Sequence, residues 1–207
     1  MSDQVWYQIT EPGQHLFKVK ASRFIADAYP ITSEDDVQAL LSSVKKREYT
    51  ANHHCFAWRL GVGDEENWRA SDDGEPAGTA GKPIHQMLVG ADVTNILVVV
   101  TRYFGGTKLG KGGLIRAYGG VVQELIPLLK KRVYIPRTSL VCVCDFEHAN
   151  LVYRLIEQYG AKLQSQDYAE QVQIQLRIKK EQADAFAWEL HELSHGLIKA
   201  ETIKLSS

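Results

Sequence analysis

The sequence predicts an α+β protein built from two α/β sandwich domains, residues 1–133 and 134–207. Three observations carry that reading. The 207 residues are 44% hydrophobic and 24% charged, which suits one large or two small cores. From Thr138 onward the patterned segments run strand, helix, strand, strand, helix, strand, the βαββαβ order of a ferredoxin-like domain. Before residue 133 the pattern differs: a mixed sheet is expected around one continuous apolar strand, with helices backing it.

In chain order, HLFKVK and RFIADAY within residues 15–29 are β-prone. Thr32 or Ser33 caps a helix with Glu34, Asp35 and Asp36 in its first turn and Lys45, Lys46 and Arg47 near its end, matching the helix dipole. Val37, Leu40, Leu41 and Val44 form its apolar stripe. HHCFAWRL (53–60) reads as a strand, and a polar acidic loop follows, with a short helix around 79–89. ILVVVTRYF (96–104) has no polar face and is expected to be buried on both sides. A helix from about Leu114 to Leu129 and a linker, KKRVYIP (130–136), close the first domain. In the second, TSLVCVCDF is a strand, ANLVYRLIEQYG a helix ending at Gly160, and KLQSQDYAE and QVQIQLRIK are strands. EQADAFAWELHELSHG is a helix and LIKAETIKL the last strand.

Net charge is −1, so the chain is no bulk polycation, and any nucleic-acid site must come from uneven charge. The N-terminus lacks a signal-peptide pattern and the longest aliphatic run, Ile96–Val100, is too short to span a bilayer. Cys55, Cys142 and Cys144 form no CxxC, which points to a reduced, cytoplasmic protein.

The chemistry concentrates in RYFGGTKLGKGGLIRAYGG (102–120). Seven of these residues are glycine, and four, Arg102, Lys108, Lys111 and Arg116, are cationic. No Asp or Glu occurs from Val93 to Gln123. Glycine lets backbone N–H groups approach a ligand, and the cations add charge to those amides, a combination suited to phosphate. GGTKLGK fits the start of a P-loop, but Gly112 stands where the Mg²⁺-binding hydroxyl would be. The competing reading is that the glycines only allow close packing and the lysines are solvated. His191 and His195 match H-E-x-x-H, yet the motif lies just before Gly196 at a helix end, so dipole closure is the better account. His53, His54 and Cys55 cannot converge as a set on one strand face, although either histidine could contact a ligand at the strand edge. In SDDGEPAGTAGKP (71–83) the acids are expected to cap the following helix, and Lys82 could extend the basic surface.

HHCFAW, SDDGEPAGTAGKP and VVVTRYFGGTKLGKGGLIRAYGG together resemble the IMPACT/YigZ family, with its core standing as Arg102, Tyr103, Phe104, Gly105, Gly106, Leu109 and Gly110. The two-domain plan resembles the bacterial members. The resemblance implies an N-terminal fold shared with a small-subunit ribosomal protein, domain IV of elongation factor G and the GHMP kinases. It implies a ferredoxin-like C-terminal domain similar to one in elongation factor G. Eukaryotic relatives regulate translation through the activator of an initiation-factor kinase, helped by an RWD domain not read here, so that partner is not carried over. No catalytic residue, cofactor or metal is assigned by the resemblance.

The expected function is therefore a cytoplasmic, translation-associated regulator that binds RNA or ribosomes, or a protein of the translation apparatus. Its phosphate contacts are expected from Arg102, Gly105, Gly106, Lys108, Gly110, Lys111, Gly112 and Arg116, with Lys82, His53 and His54 as additions. Tyr103, Phe104 and Tyr118 could stack on bases, with core packing equally open to each. Two alternatives are a nucleotide phosphotransferase or hydrolase using the same loop, and an adaptor using the acidic 64–75 loop and the basic loop.

Overall fold

The computed structural model describes residues 4–203. Residues 1–3 of the segment read for a signal peptide, and Lys204 and Leu205 of the last expected strand, lie outside the described residues. The chain divides into two compact units, Met1–Tyr134 and Ile135–Ser207, each with its own core.

In the first unit β1 (Trp6–Ile9) lies apart from the main sheet. That sheet holds β2 (Gly13–Val19), β3 (Ser22–Pro30), β4 (His53–Leu60), β5 (Asn67–Ser71) and β6 (Ile96–Tyr103). The order is β2-β3-β6-β4-β5 and every pairing is antiparallel. Helix α1 (Glu34–Arg47) packs Val37 and Val44 against Ile31, Trp58, Leu97 and Val99. Helices α2 (Gly81–Gly90) and α3 (Gly110–Leu125) form a second core, in which Ile84, Leu88, Tyr118 and Val122 join Phe24, Ala26, Val98 and Val100. Alternate residues of β6 thus enter two cores, which is why this strand lacks a polar face. Each large aliphatic buried there contributes about 1.5–3 kcal/mol.

Ser33 starts α1 with a complete capping box: its hydroxyl accepts from Asp36 N, and the Asp36 carboxylate accepts from Ser33 N. Three expectations need correction. Residues 67–71, read as loop, form β5 in a hairpin with β4. The expected linker contains β7 (Lys131–Tyr134), whose partner is β1, more than 120 residues away in sequence. Pairing so short and so distant leaves little periodicity to detect. Helix α3 begins at Gly110 rather than Leu114, because packing on β2 and α2 overrides the helix-breaking tendency of Gly110, Gly112 and Gly113.

The second unit contains β8 (Arg137–Cys144), α4 (Ala149–Gln158), β9 (Lys162–Tyr168), β10 (Val172–Lys179), α5 (Ala183–Leu193) and β11 (Ala200–Ile203). Its antiparallel sheet has the order β11-β8-β10-β9. Val172, Ile174, Leu176 and Ile178 meet Val152, Leu155, Phe186 and Leu190. The intervening Gln173 and Arg177 are exposed. Helix α5 ends at Leu193, and His195 has φ 53°, so the two histidines of H-E-x-x-H do not share a helix face. Among the described residues no helix is long and apolar enough to cross a membrane.

Candidate functional site

The loop after β6 is set down on the β2–β3 turn by one glycine. A Cβ on Gly105 would lie 2.0 Å from the backbone carbon of Ala21, so no side chain fits there. Gly105 N also donates to the Ser22 hydroxyl at 3.1 Å, and Phe104 N to Asn52 Oδ1 at 2.8 Å. The chain then turns at Gly110, φ +69°, into α3. No side chain caps that helix, and Gly110, Lys111 and Gly112 in its first turn are exposed. Its first-turn N–H groups thus have no side-chain cap, at the positive end of the helix dipole.

Lys108, Lys111 and Arg116 project from this end, exposed. Lys20 joins them from the β2–β3 turn, where it holds φ 54°. Among the described residues none of these four has a carboxylate within ion-pair distance. An open groove of about 340 Å³ runs beside them, lined by Phe17, Val19, Lys20, Leu109, Gly113, Arg116 and Ala117. The sequence reading missed Lys20; a lysine at the turn of a β-prone pair was the available signal.

Other expected contacts lie elsewhere. Arg102 is buried and gives Nη1 to Glu75 Oε1 at 2.6 Å, while the Tyr118 hydroxyl donates to the same oxygen at 2.8 Å. Arg102 is thus neutralised inside the unit and does not belong to an open phosphate surface. Tyr118 is fully buried and cannot stack on a base. His54 is buried too, its ring 3.1 Å from the Glu48 carbonyl oxygen. His53 Nδ1 bonds the Asp73 carbonyl at 2.8 Å, and its Nε2 lies 3.9 Å from Glu75. Both histidines serve the 72–81 loop. Lys82 is exposed in the first turn of α2 and does not line the groove. Tyr103 donates to Glu48 Oε2 at 2.7 Å; Phe104 stays exposed.

The acids of the 71–83 segment turn inward. Asp72 accepts from Gly78 N, Ala80 N and Gly81 N at 2.8–2.9 Å and supplies the cap that Ala80 cannot give α2. Burial opposes its charge, but the three amide bonds outweigh it and hold the carboxyl below the usual range. Asp73 takes His54 N at 2.6 Å and Lys45 at 3.3 Å. Glu66 pairs with the buried Arg59. An acidic docking loop is correspondingly depleted.

These two motif segments, joined by Glu75–Arg102–Tyr118, also match known proteins. A family model described as the Impact N-terminal domain matches residues 20–126, and one described as a domain of unknown function (DUF1949) matches residues 142–197. The chain is 36% identical to an IMPACT family member of Haemophilus influenzae over 189 residues, covering 91% of this chain and 92% of that protein. It is 33% identical over 200 residues to IMPACT family member YigZ of Escherichia coli, covering 96% and 98%. The chain belongs to the IMPACT family. A crystal structure of a hypothetical protein, 32% identical, superposes with a TM-score of 0.73 over 98% of both chains.

Within this IMPACT-family chain the thiol nearest the motif segments is inert. Cys55 lies 3.0 Å from the Asp72 carbonyl oxygen and 3.3 Å from the Tyr118 hydroxyl. Desolvation by burial pushes its thiol up to about 12, with the nearby carboxylates adding to the shift. It therefore stays protonated and is no nucleophile at neutral pH. Burial likewise raises Tyr118 far above the ordinary phenol range. The first unit presents an uncapped helix start, four exposed cations and an adjoining groove.

Proposed function

We propose that this protein is a cytoplasmic, translation-associated regulator that binds RNA, free or within the ribosome, through the α3 end of its first unit. The observation that carries the reading is the set of four unpaired cations, Lys20, Lys108, Lys111 and Arg116, around the uncapped start of α3. Phosphate recognition needs only such amides and charge. The resemblance to translation factors supports the choice of RNA. We read the first unit as the ribosomal-protein type of sandwich also found in domain IV of elongation factor G and the GHMP kinases. We read the second as ferredoxin-like, on its βαββαβ order and its β11-β8-β10-β9 sheet. The boundary expected from the sequence, 133/134, lies one residue from the division between the two compact units, 134/135. Three buried, free cysteines suit a reducing compartment. A protein of the translation apparatus is the further partner expected on the same surface. Against the phosphotransferase alternative stands Gly112, which offers no hydroxyl after Lys111.

The test is fluorescence anisotropy of a short labelled RNA over a series of salt concentrations. Four phosphate contacts to a single strand give a log–log slope of about −3. Changing Lys108 and Lys111 together to glutamate abolishes binding and leaves the urea midpoint unchanged. Unaltered affinity in that double variant refutes the assignment.

A further inference from the structure

We infer that the groove between β2 and α3 holds one unpaired nucleotide, so that this surface selects single-stranded over duplex RNA. The inference rests on the RNA-binding reading and adds the substrate class. Its basis is the groove's make-up. One wall is apolar, Phe17 and Val19 of β2. The facing wall is Gly113 and Ala117 of α3, one turn apart, both small; Ala117 is buried, and the Leu109 side chain lies 3.0 Å from where a Cβ on Gly113 would stand. Further along α3 the helix face stays small, and a Cβ on Gly120 would touch the Phe17 ring at 3.6 Å. Leu109 also lines the groove, and Lys20 and Arg116 bring positive charge to it.

An apolar slot with cations beside it has the polarity of a nucleotide: a π-faced base with a phosphate attached. About 340 Å³ is near the small end of ligand pockets, room for one such unit rather than several. Lys108 and Lys111, which flank Leu109 and Gly110 in sequence, would then meet the neighbouring phosphates of the strand. A base already paired and stacked in a duplex has no free face to offer, whereas a single strand can turn one out. The cations alone would not discriminate between the two, so the strand preference isolates the groove.

The experiment uses the full chain and anisotropy of one labelled RNA, as a single strand and annealed to its complement. Wild type is expected to bind the strand about tenfold or more tightly than the duplex, the scale of one base–side-chain stack. Val19→Trp fills the slot without changing charge; it is expected to erase that preference while keeping salt-dependent affinity for both. A second measurement needs no variant: a nucleoside monophosphate displaces the strand from wild type at a concentration where inorganic phosphate does not. Equal wild-type affinity for strand and duplex, both lost in the Lys108/Lys111 double variant, overturns the groove assignment and leaves phosphate binding standing. Equal displacement by inorganic phosphate also overturns it. Calorimetric binding of the monophosphate without binding of either RNA keeps the groove and overturns the RNA reading. Binding of none overturns both.

Discussion

Arg102 lies 5.4 Å from the ring centroid of Phe24 and 5.5 Å from that of Phe104, with Nη1 on Glu75. Charge and glycine context point to a phosphate contact, but the buried side chain instead ties the 72–81 loop to β6 and, through Tyr118, to α3. Removing one partner of a buried pair leaves a charge without compensation, typically costing about 3–5 kcal/mol. Glu75→Ala should therefore lower stability by roughly that amount in urea denaturation, and Arg102→Ala should do likewise. Neither should change the salt slope of RNA binding by the fraction that remains folded, since neither residue is in the phosphate set. A fully stable Arg102→Ala that loses one unit of slope would return Arg102 to the interface. The residue type was legible in the sequence and the direction of the side chain was not. A strand position next to a glycine loop can point its guanidinium either way, and only the distant Glu75 decides.

At the level of elements, strong periodicity and capping chemistry translated directly. The acidic start of α1, its basic end and the doubly buried β6 follow from local residues alone. What escaped depended on partners far away: β1 with β7, β5 as the outer strand beyond β4, and the glycine-rich start of α3 held by β2 and α2. The 72–81 loop shows how a cap can come from a distance, since Asp72 acts nine residues before Gly81. Its carboxyl is lowered from 3.8 in the folded protein. The stabilisation is then complete above the unfolded value and disappears as pH falls through the folded one. Asp72→Asn, which keeps an acceptor oxygen and removes the charge, should cost about 0.3–1 kcal/mol at pH 7, the usual worth of an anion at a helix N-terminus. The gap to wild type should begin to narrow below about pH 4, where the unfolded chain takes up the proton while the native carboxylate still holds its charge. Urea midpoints at pH 7 and pH 3 check this, and a gap constant with pH would mean that the charge contributes nothing. Gly105→Ala tests the other loop. With Ala21 backbone 2.0 Å from the new Cβ, the loop must shift, at about 1–3 kcal/mol of overpacking. RNA affinity should fall with it, because the shift parts Lys20 from Lys108.

Across the molecule, the two units divide the work unevenly. Each has a separate apolar core, and all the cations assigned to RNA lie in the first. The second presents Gln173 and Arg177 on its open sheet face. In the same unit Phe146 and Tyr168 stack at 6.2 Å and both are exposed. By register Tyr168 pairs with the buried Val172, so the pair belongs to the helix-covered side and not to the open face where an RNA-binding sheet would display its rings. A fragment of residues 1–134 should consequently keep the affinity and salt slope of the full chain within about twofold, since its phosphate contacts are all retained. A fragment of residues 135–207 should bind no RNA in the same assay, while circular dichroism and a cooperative urea transition establish that it has folded. If removing residues 135–207 weakens binding more than tenfold while the first unit stays folded, the second unit contributes directly. Phe146→Ala with Tyr168→Ala in the full chain would then locate that contribution, because base stacking on those rings is lost without altering any charge.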